Sequence, residues 1–269
     1  MFQSIGFIGT GNMGSAMAKA VAASGLAPSI LLANRTPAKA EALARALPGA
    51  RCSNNEEIAR TCGLVFLGVK PQMMAELLGE LAPVLAGRTD RFVLCTMAAG
   101  LSCARIRDLA GVSCPVIRIM PNTPAAIGAG VVQYCGLDAA AEELDAFAAL
   151  LAPAGLVDPV PETLIDAASA VSGCGPAFAY LFIEALADGG VACGLPRDKA
   201  LRYAAQMAAG SAQMVLDSGR HPGALKDAVC SPGGATIQGV RALEEQGFRG
   251  AAMDAVIAAY QKTLALGKK

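Results

Sequence analysis

The hexapeptide Gly9-Thr10-Gly11-Asn12-Met13-Gly14 constrains this chain more than any other stretch, because of what flanks it. An apolar run over residues 3–8 leads into it, and residues 13–23 carry helical spacing out of it. A G-x-G-x-x-G turn between strand and helix brings bare backbone to a dinucleotide pyrophosphate. Gly9 permits the tight turn, Gly11 lets the pyrophosphate approach, and Gly14 lets helix and strand pack closely. The helix N-terminus adds partial positive charge.

The same rhythm continues. Short apolar runs recur at 30–34, 64–69, 92–96, 116–120 and 130–135, and their near-continuous hydrophobicity suits strands covered on both faces. Helical segments at 13–23, 38–47, 72–85 and 102–109, and a further one within 138–155, alternate with them. The pattern predicts an α/β fold with a doubly wound parallel sheet. After the proline-punctuated "LVDPVPE" the chain reads as helices only, over 162–171, 176–193, 197–217, 232–245 and 248–266. The expected division is a dinucleotide-binding domain over 1–161 and a helical domain over 162–269.

The segment "PAFAYLFIEALADGGVACGL" is apolar almost all round, with Glu184 and Asp188 its only charges. A helix without a polar face needs cover on every side. A second subunit is the expected source, the alternative being a central helix of a monomeric bundle. The longest uncharged run, 167–183, is interrupted by Gly173, Gly175 and Pro176, so no membrane span is expected.

At the end of the second predicted strand, where NAD enzymes place a carboxylate on the ribose 2′-hydroxyl, the chain reads Ala33-Asn34-Arg35-Thr36. An arginine, an amide and a hydroxyl can donate to a 2′-phosphate, so NADP(H) is favoured, with NAD(H) as the second dinucleotide the site can admit. Three further loops fall at strand ends: Gly68-Val69-Lys70-Pro71, Met97-Ala98-Ala99-Gly100 and Met120-Pro121-Asn122-Thr123-Pro124.

Composition excludes other classes. Lys plus Arg and Asp plus Glu are 22 each, without basic runs, so no nucleic-acid partner is expected. The nine cysteines, Cys52, Cys62, Cys95, Cys103, Cys114, Cys135, Cys174, Cys193 and Cys230, include no Cys-x-x-Cys pair. They read as reduced residues of a cytoplasmic protein, with no metal site expected. The N-terminus has no basic region ahead of its apolar run, so no signal peptide is expected. Acid–base candidates are few. His221, the only histidine, sits in a turn before a short helix, and Lys226 follows it. That scarcity suits an imine, since a protonated iminium needs hydride delivery more than proton donation.

"CSPGGATIQGV" then acquires a meaning. Ser231-Pro232 reads as a helix start, yet Gly233 and Gly234 weaken the turn that follows. Paired glycines at a helix N-terminus can bare N–H groups for a carboxylate or phosphate, or can permit close packing on a neighbouring helix. "HPGALKDAVCSPGGATIQGVRALE" resembles the signature of the pyrroline-5-carboxylate reductases, and "GVKP", "AAG", "MPNTP" and "SGCGPAF" stand in that family's order. The resemblance implies reduction of L-1-pyrroline-5-carboxylate, a cyclic imine, to L-proline by NAD(P)H, the last step of proline biosynthesis. It implies a Rossmann-type domain followed by an all-α dimerisation domain, in a homodimer with the substrate pocket at the subunit interface.

By the same resemblance, Ile8, Gly9, Thr10, Gly11, Asn12, Met13, Asn34, Arg35, Asn55, Gly68, Val69, Lys70, Pro71, Met97, Ala98 and Ala99 contact the cofactor. Ser231, Gly233, Gly234, Ala235 and Thr236 hold the substrate carboxylate, and the Thr236 hydroxyl meets the ring nitrogen. Thr96-Met97, Cys174 and Gly219 depart from the family's usual residues. Two other readings are a β-hydroxyacid dehydrogenase, which needs a lysine that residues 176–186 lack, and a dinucleotide-binding sensor without turnover.

Overall fold

The computed structural model describes residues 2–267. In chain order the elements are β1 (Ile5–Ile8), α1 (Asn12–Ser24), β2 (Ile30–Ala33), α2 (Pro37–Ala46), β3 (Ala50–Cys52), α3 (Asn55–Thr61), β4 (Leu64–Leu67), α4 (Met74–Ala86), β5 (Val93–Thr96), α5 (Cys103–Ala110), β6 (Val116–Pro121), β7 (Gly130–Leu137), α6 (Ala141–Leu151) and β8 (Gly155–Pro159). The helices α7 (Glu162–Ser172), α8 (Gly175–Ala192), α9 (Arg197–Ser218), α10 (Pro222–Ala228), α11 (Ala235–Glu245) and α12 (Phe248–Leu266) follow.

The strands form one sheet in the order β3-β2-β1-β4-β5-β6-β7-β8. β1, β2, β4 and β5 are buried at every residue, because helices cover both faces. The two-residue side-chain period sends Phe7, Leu32 and Phe66 to the face of α1 and α6, where Phe7 and Phe66 stack at 4.4 Å between ring centroids. Ile8, Leu31, Val65 and Leu67 point the other way, onto Ile58, Leu78 and Ile106 of α3, α4 and α5.

The sheet is not parallel throughout: β7 runs antiparallel to β6. Only residues 122–129 join them, too short a connection for the crossover that parallel neighbours need. The edge strands β3 and β8 escape the apolar pattern because each is covered less, so Arg51, Asp158 and Pro159 are tolerated there. The helix expected over 72–85 opens with a 3-10 turn, Pro71–Met73. The unforeseen α3 is capped by Asn54, whose side chain accepts the Glu57 N–H at 2.8 Å. Asn54→Ala should lower unfolding stability by ~1 kcal/mol, read by denaturant titration, with little effect on activity.

By compactness the chain divides into residues 2–174 with 259–267, and Gly175–Ala258. The division falls later than residue 161 because α7 packs on β6 and β7: the buried Arg118 pairs with Asp166, and Asn122 donates to the Ser172 carbonyl at 3.0 Å. Within the second unit α8 and α9 meet through small residues, Ala187, Ala200 and Ala204. Among the described residues, α8 is covered only in part. Ala187 is its only buried residue, and Tyr180 and Leu181 are 59% and 68% exposed. The stretch Glu162–Ala192 is long and apolar enough by composition to cross a membrane. A turn at Gly173 and Cys174 divides it into α7 and α8.

Candidate functional site

Two constellations emerge, one on each unit. The first lies where the strand order reverses, between β1 and β4, at the carboxyl ends of the strands. Gly9 has φ +97°, and a Cβ there would stand 2.7 Å from the Gly68 carbonyl oxygen. A Cβ on Gly14 or on Gly68 would clash with the Gly9 carbonyl oxygen. These three glycines are therefore fixed by the close approach of the β1, β4 and α1 backbones. Gly11 is different. It is exposed at the start of α1, and a Cβ there would meet no atom within 4 Å. Its bareness serves nothing inside the protein, which fits a site for an incoming phosphate group.

The loops after β1, β4 and β5 bring Ile8–Met13, Gly68–Pro71 and Met97–Ala99 to this one edge. Met97 and Ala99 are half-buried, and Thr96, buried behind them, accepts the Ala98 N–H at 3.2 Å on its hydroxyl. Asn55 is the first residue of α3. Asn34 is drawn into the protein: its Oδ1 accepts the Thr10 N–H at 3.2 Å, and its amide donates to the Thr36 carbonyl at 3.1 Å. It props the glycine loop against the end of β2, and Arg35 and Thr36 beside it are exposed. Arg35→Ala should weaken NADPH binding by roughly 10–100-fold, the worth of a charge-assisted contact, and NADH binding far less. Fluorescence titration with both dinucleotides checks this, and equal losses would overturn it.

The second constellation precedes α11. The helix does not start at Pro232. Ser231–Gly234 forms a turn closed by the Gly234 N–H donating to the Ser231 carbonyl at 3.0 Å, and Gly233 has φ +71°. Proline followed by a residue in the left-handed region makes this a type II turn, so the left-handed conformation explains Gly233. Gly234 is extended at the N-cap, and a Cβ there would push the Ser231 hydroxyl aside. Neither glycine abuts a neighbouring helix among the described residues. The first turn of α11 has no side-chain cap, and Ala235 and Thr236 are exposed. The result is an open array of N–H donors at the positive end of an eleven-residue helix.

The acid–base candidates are otherwise engaged. His221 caps α10, its Nδ1 accepting the Gly223 N–H at 3.1 Å. Asp227, bonded to Lys226 at 2.8 Å, holds that ammonium above its ordinary range, so it stays charged at neutral pH. Gly219 ends α9 at φ +60°, a left-handed cap that accounts for glycine there.

Residues 162–266 match the family described as pyrroline-5-carboxylate reductase dimerisation, and residues 4–96 match that described as NADP oxidoreductase coenzyme F420-dependent. The chain is 42% identical over 262 residues to a pyrroline-5-carboxylate reductase of Pisum sativum, covering 96% of this chain and 94% of that one. It is 38% identical to that of Escherichia coli (strain K12), over the full length of both. A Plasmodium falciparum pyrroline carboxylate reductase solved with NADP bound superposes with a TM-score of 0.85 at 31% identity, covering 98% of each chain.

Proposed function

Since the chain belongs to the pyrroline-5-carboxylate reductase family, an NAD(P)H-dependent oxidoreductase of proline biosynthesis, we propose how its own residues divide the work. The substrate is a cyclic imine bearing a carboxylate, and when bound the reduced nicotinamide supplies a hydride to the imine carbon. The Ser231–Thr236 segment holds the carboxylate: the Ala235 and Thr236 N–H groups donate to it, the turn of Ser231, Gly233 and Gly234 keeps them clear, and the helix dipole favours its charge. The uncapped start of α11 behind a type II turn is the observation that carries this reading.

Anchoring the carboxylate restricts the ring to few orientations and so lowers the entropic part of the barrier. The Thr236 hydroxyl oxygen, one residue into the helix, accepts a hydrogen bond from the protonated ring nitrogen, and Thr236 is the one catalytic residue proposed. No histidine or free lysine is assigned a proton, because the iminium brings its own activation. The glycine loop of Gly9, Thr10 and Gly11, with Arg35, selects and orients NADP(H).

We further infer a homodimer in which a second copy covers the exposed apolar faces of α8 and α9, including Leu181 and Met214, and a reducing cytoplasmic setting for the nine free cysteines. The deciding assay is NADPH oxidation with racemic pyrroline-5-carboxylate beside a set of β-hydroxyacids assayed in reverse. Turnover with the imine alone is the expected result, and binding of NADPH without turnover on either would refute it.

A further inference from the structure

Among the described residues, the fold gathers one group of side chains able to bind a metal that the reductase chemistry does not use. Cys103 opens α5, Cys135 lies on β7 and Glu162 opens α7. The two sulfurs stand 4.0 Å apart, and these with a Glu162 carboxylate oxygen all lie within 4.8 Å of one another. Cys103 and Cys135 are 1% and 8% exposed. We propose that Cys103, Cys135 and Glu162 form a binding site for one thiophilic divalent cation, of which zinc is the type, within the sheet-bearing unit.

The geometry favours this over accident. Tetrahedral coordination with metal–sulfur bonds of about 2.3 Å sets neighbouring sulfurs about 3.8 Å apart, close to the spacing found. A disulfide would require the sulfurs to close to about 2 Å. The supporting shell is in place: the Cys103 N–H donates to Glu162 Oε1 at 2.7 Å, fixing the carboxylate beside the thiol. Arg118, buried, lies 3.8 Å from the same oxygen and also pairs with Asp166. Two thiolates and a carboxylate around a divalent ion leave one negative charge, and the guanidinium shared between Glu162 and Asp166 lies beside it. The Glu162 side chain is 36% exposed and provides the way in. Three protein ligands leave the fourth position to water.

Cobalt(II) titration of the full-length, metal-stripped enzyme under a phosphine reductant tests the proposal. The expected result is a thiolate-to-cobalt charge-transfer band saturating at one ion per chain and displaced by zinc. The band should vanish in Cys103→Ser and in Cys135→Ser, and Glu162→Gln should weaken binding by ~10-fold or more. If a serine variant does not fold, alkylation mapping of the wild type decides, since zinc should slow modification of Cys103 and Cys135 while leaving the exposed Cys52 and Cys193 unchanged. No stoichiometric band, a band that survives in the serine variants, or no protection of the two buried thiols would overturn it.

Discussion

Gly11→Val is expected to abolish useful NADPH binding, raising Kd by ~100-fold or more, while the protein remains folded. A Cβ at Gly11 points into open space, so the substitution adds no internal clash, and its only cost to folding is a poorer N-cap, about 1 kcal/mol. The added methyl groups instead occupy the approach to the first N–H groups of α1. Losing one or two charge-assisted contacts of about 1.5–3 kcal/mol each accounts for the expected change. Gly14→Ala is the informative contrast. Its Cβ would clash with the Gly9 carbonyl oxygen, so that variant should lose thermal stability before any question of binding arises. Thermal melts beside NADPH titration separate the two, and a Gly11→Val protein that binds NADPH normally would remove the glycine loop from the cofactor site.

The second large effect concerns the substrate's acid group. Reduction of 1-pyrroline, the same ring without the carboxylate, should show a kcat/KM at least ~100-fold below that of pyrroline-5-carboxylate, because the N–H donors of Ala235 and Thr236 then have no partner. Thr236→Val should lower kcat by ~100-fold with a small change in KM, and Thr236→Ser should restore most of it, since the hydroxyl and not the methyl is assigned the role. Steady-state kinetics on both substrates with each variant checks the pair. Equal kcat/KM for the two imines would show that the carboxylate is not recognised.

The dinucleotide half of this account was legible because its signals are local. Gly9 and Gly14 answer close backbone approaches within six residues of chain, and continuous apolar runs such as Leu64–Leu67 announce strands covered on both faces. β3 and β8 were illegible for the opposite reason: edge strands accept Arg51 and Pro159, so no period marks them. Pro232 misled by suiting both the first turn of a helix and the second position of a type II turn, and only the left-handed Gly233 distinguishes the two. The tie of Asn34 to Thr10 was not legible, because it crosses from one strand end to another. The cluster of Cys103, Cys135 and Glu162 has no local spacing, since three separate elements contribute one residue each. The sequence of α8 offers no polar face, and among the described residues Ala187 is the one residue of α8 that is buried.

The claim on which the mechanism turns is that the N-terminus of α11 receives the substrate's carboxylate. A crystal structure of the enzyme with NADP and a saturated five-membered-ring analogue of the substrate tests it most directly. The account predicts the analogue's carboxylate within hydrogen-bond distance, about 3 Å, of the Ala235 and Thr236 backbone nitrogens, with its ring nitrogen beside the Thr236 hydroxyl. A carboxylate bound to side chains elsewhere, with the first turn of α11 left to solvent, would contradict it.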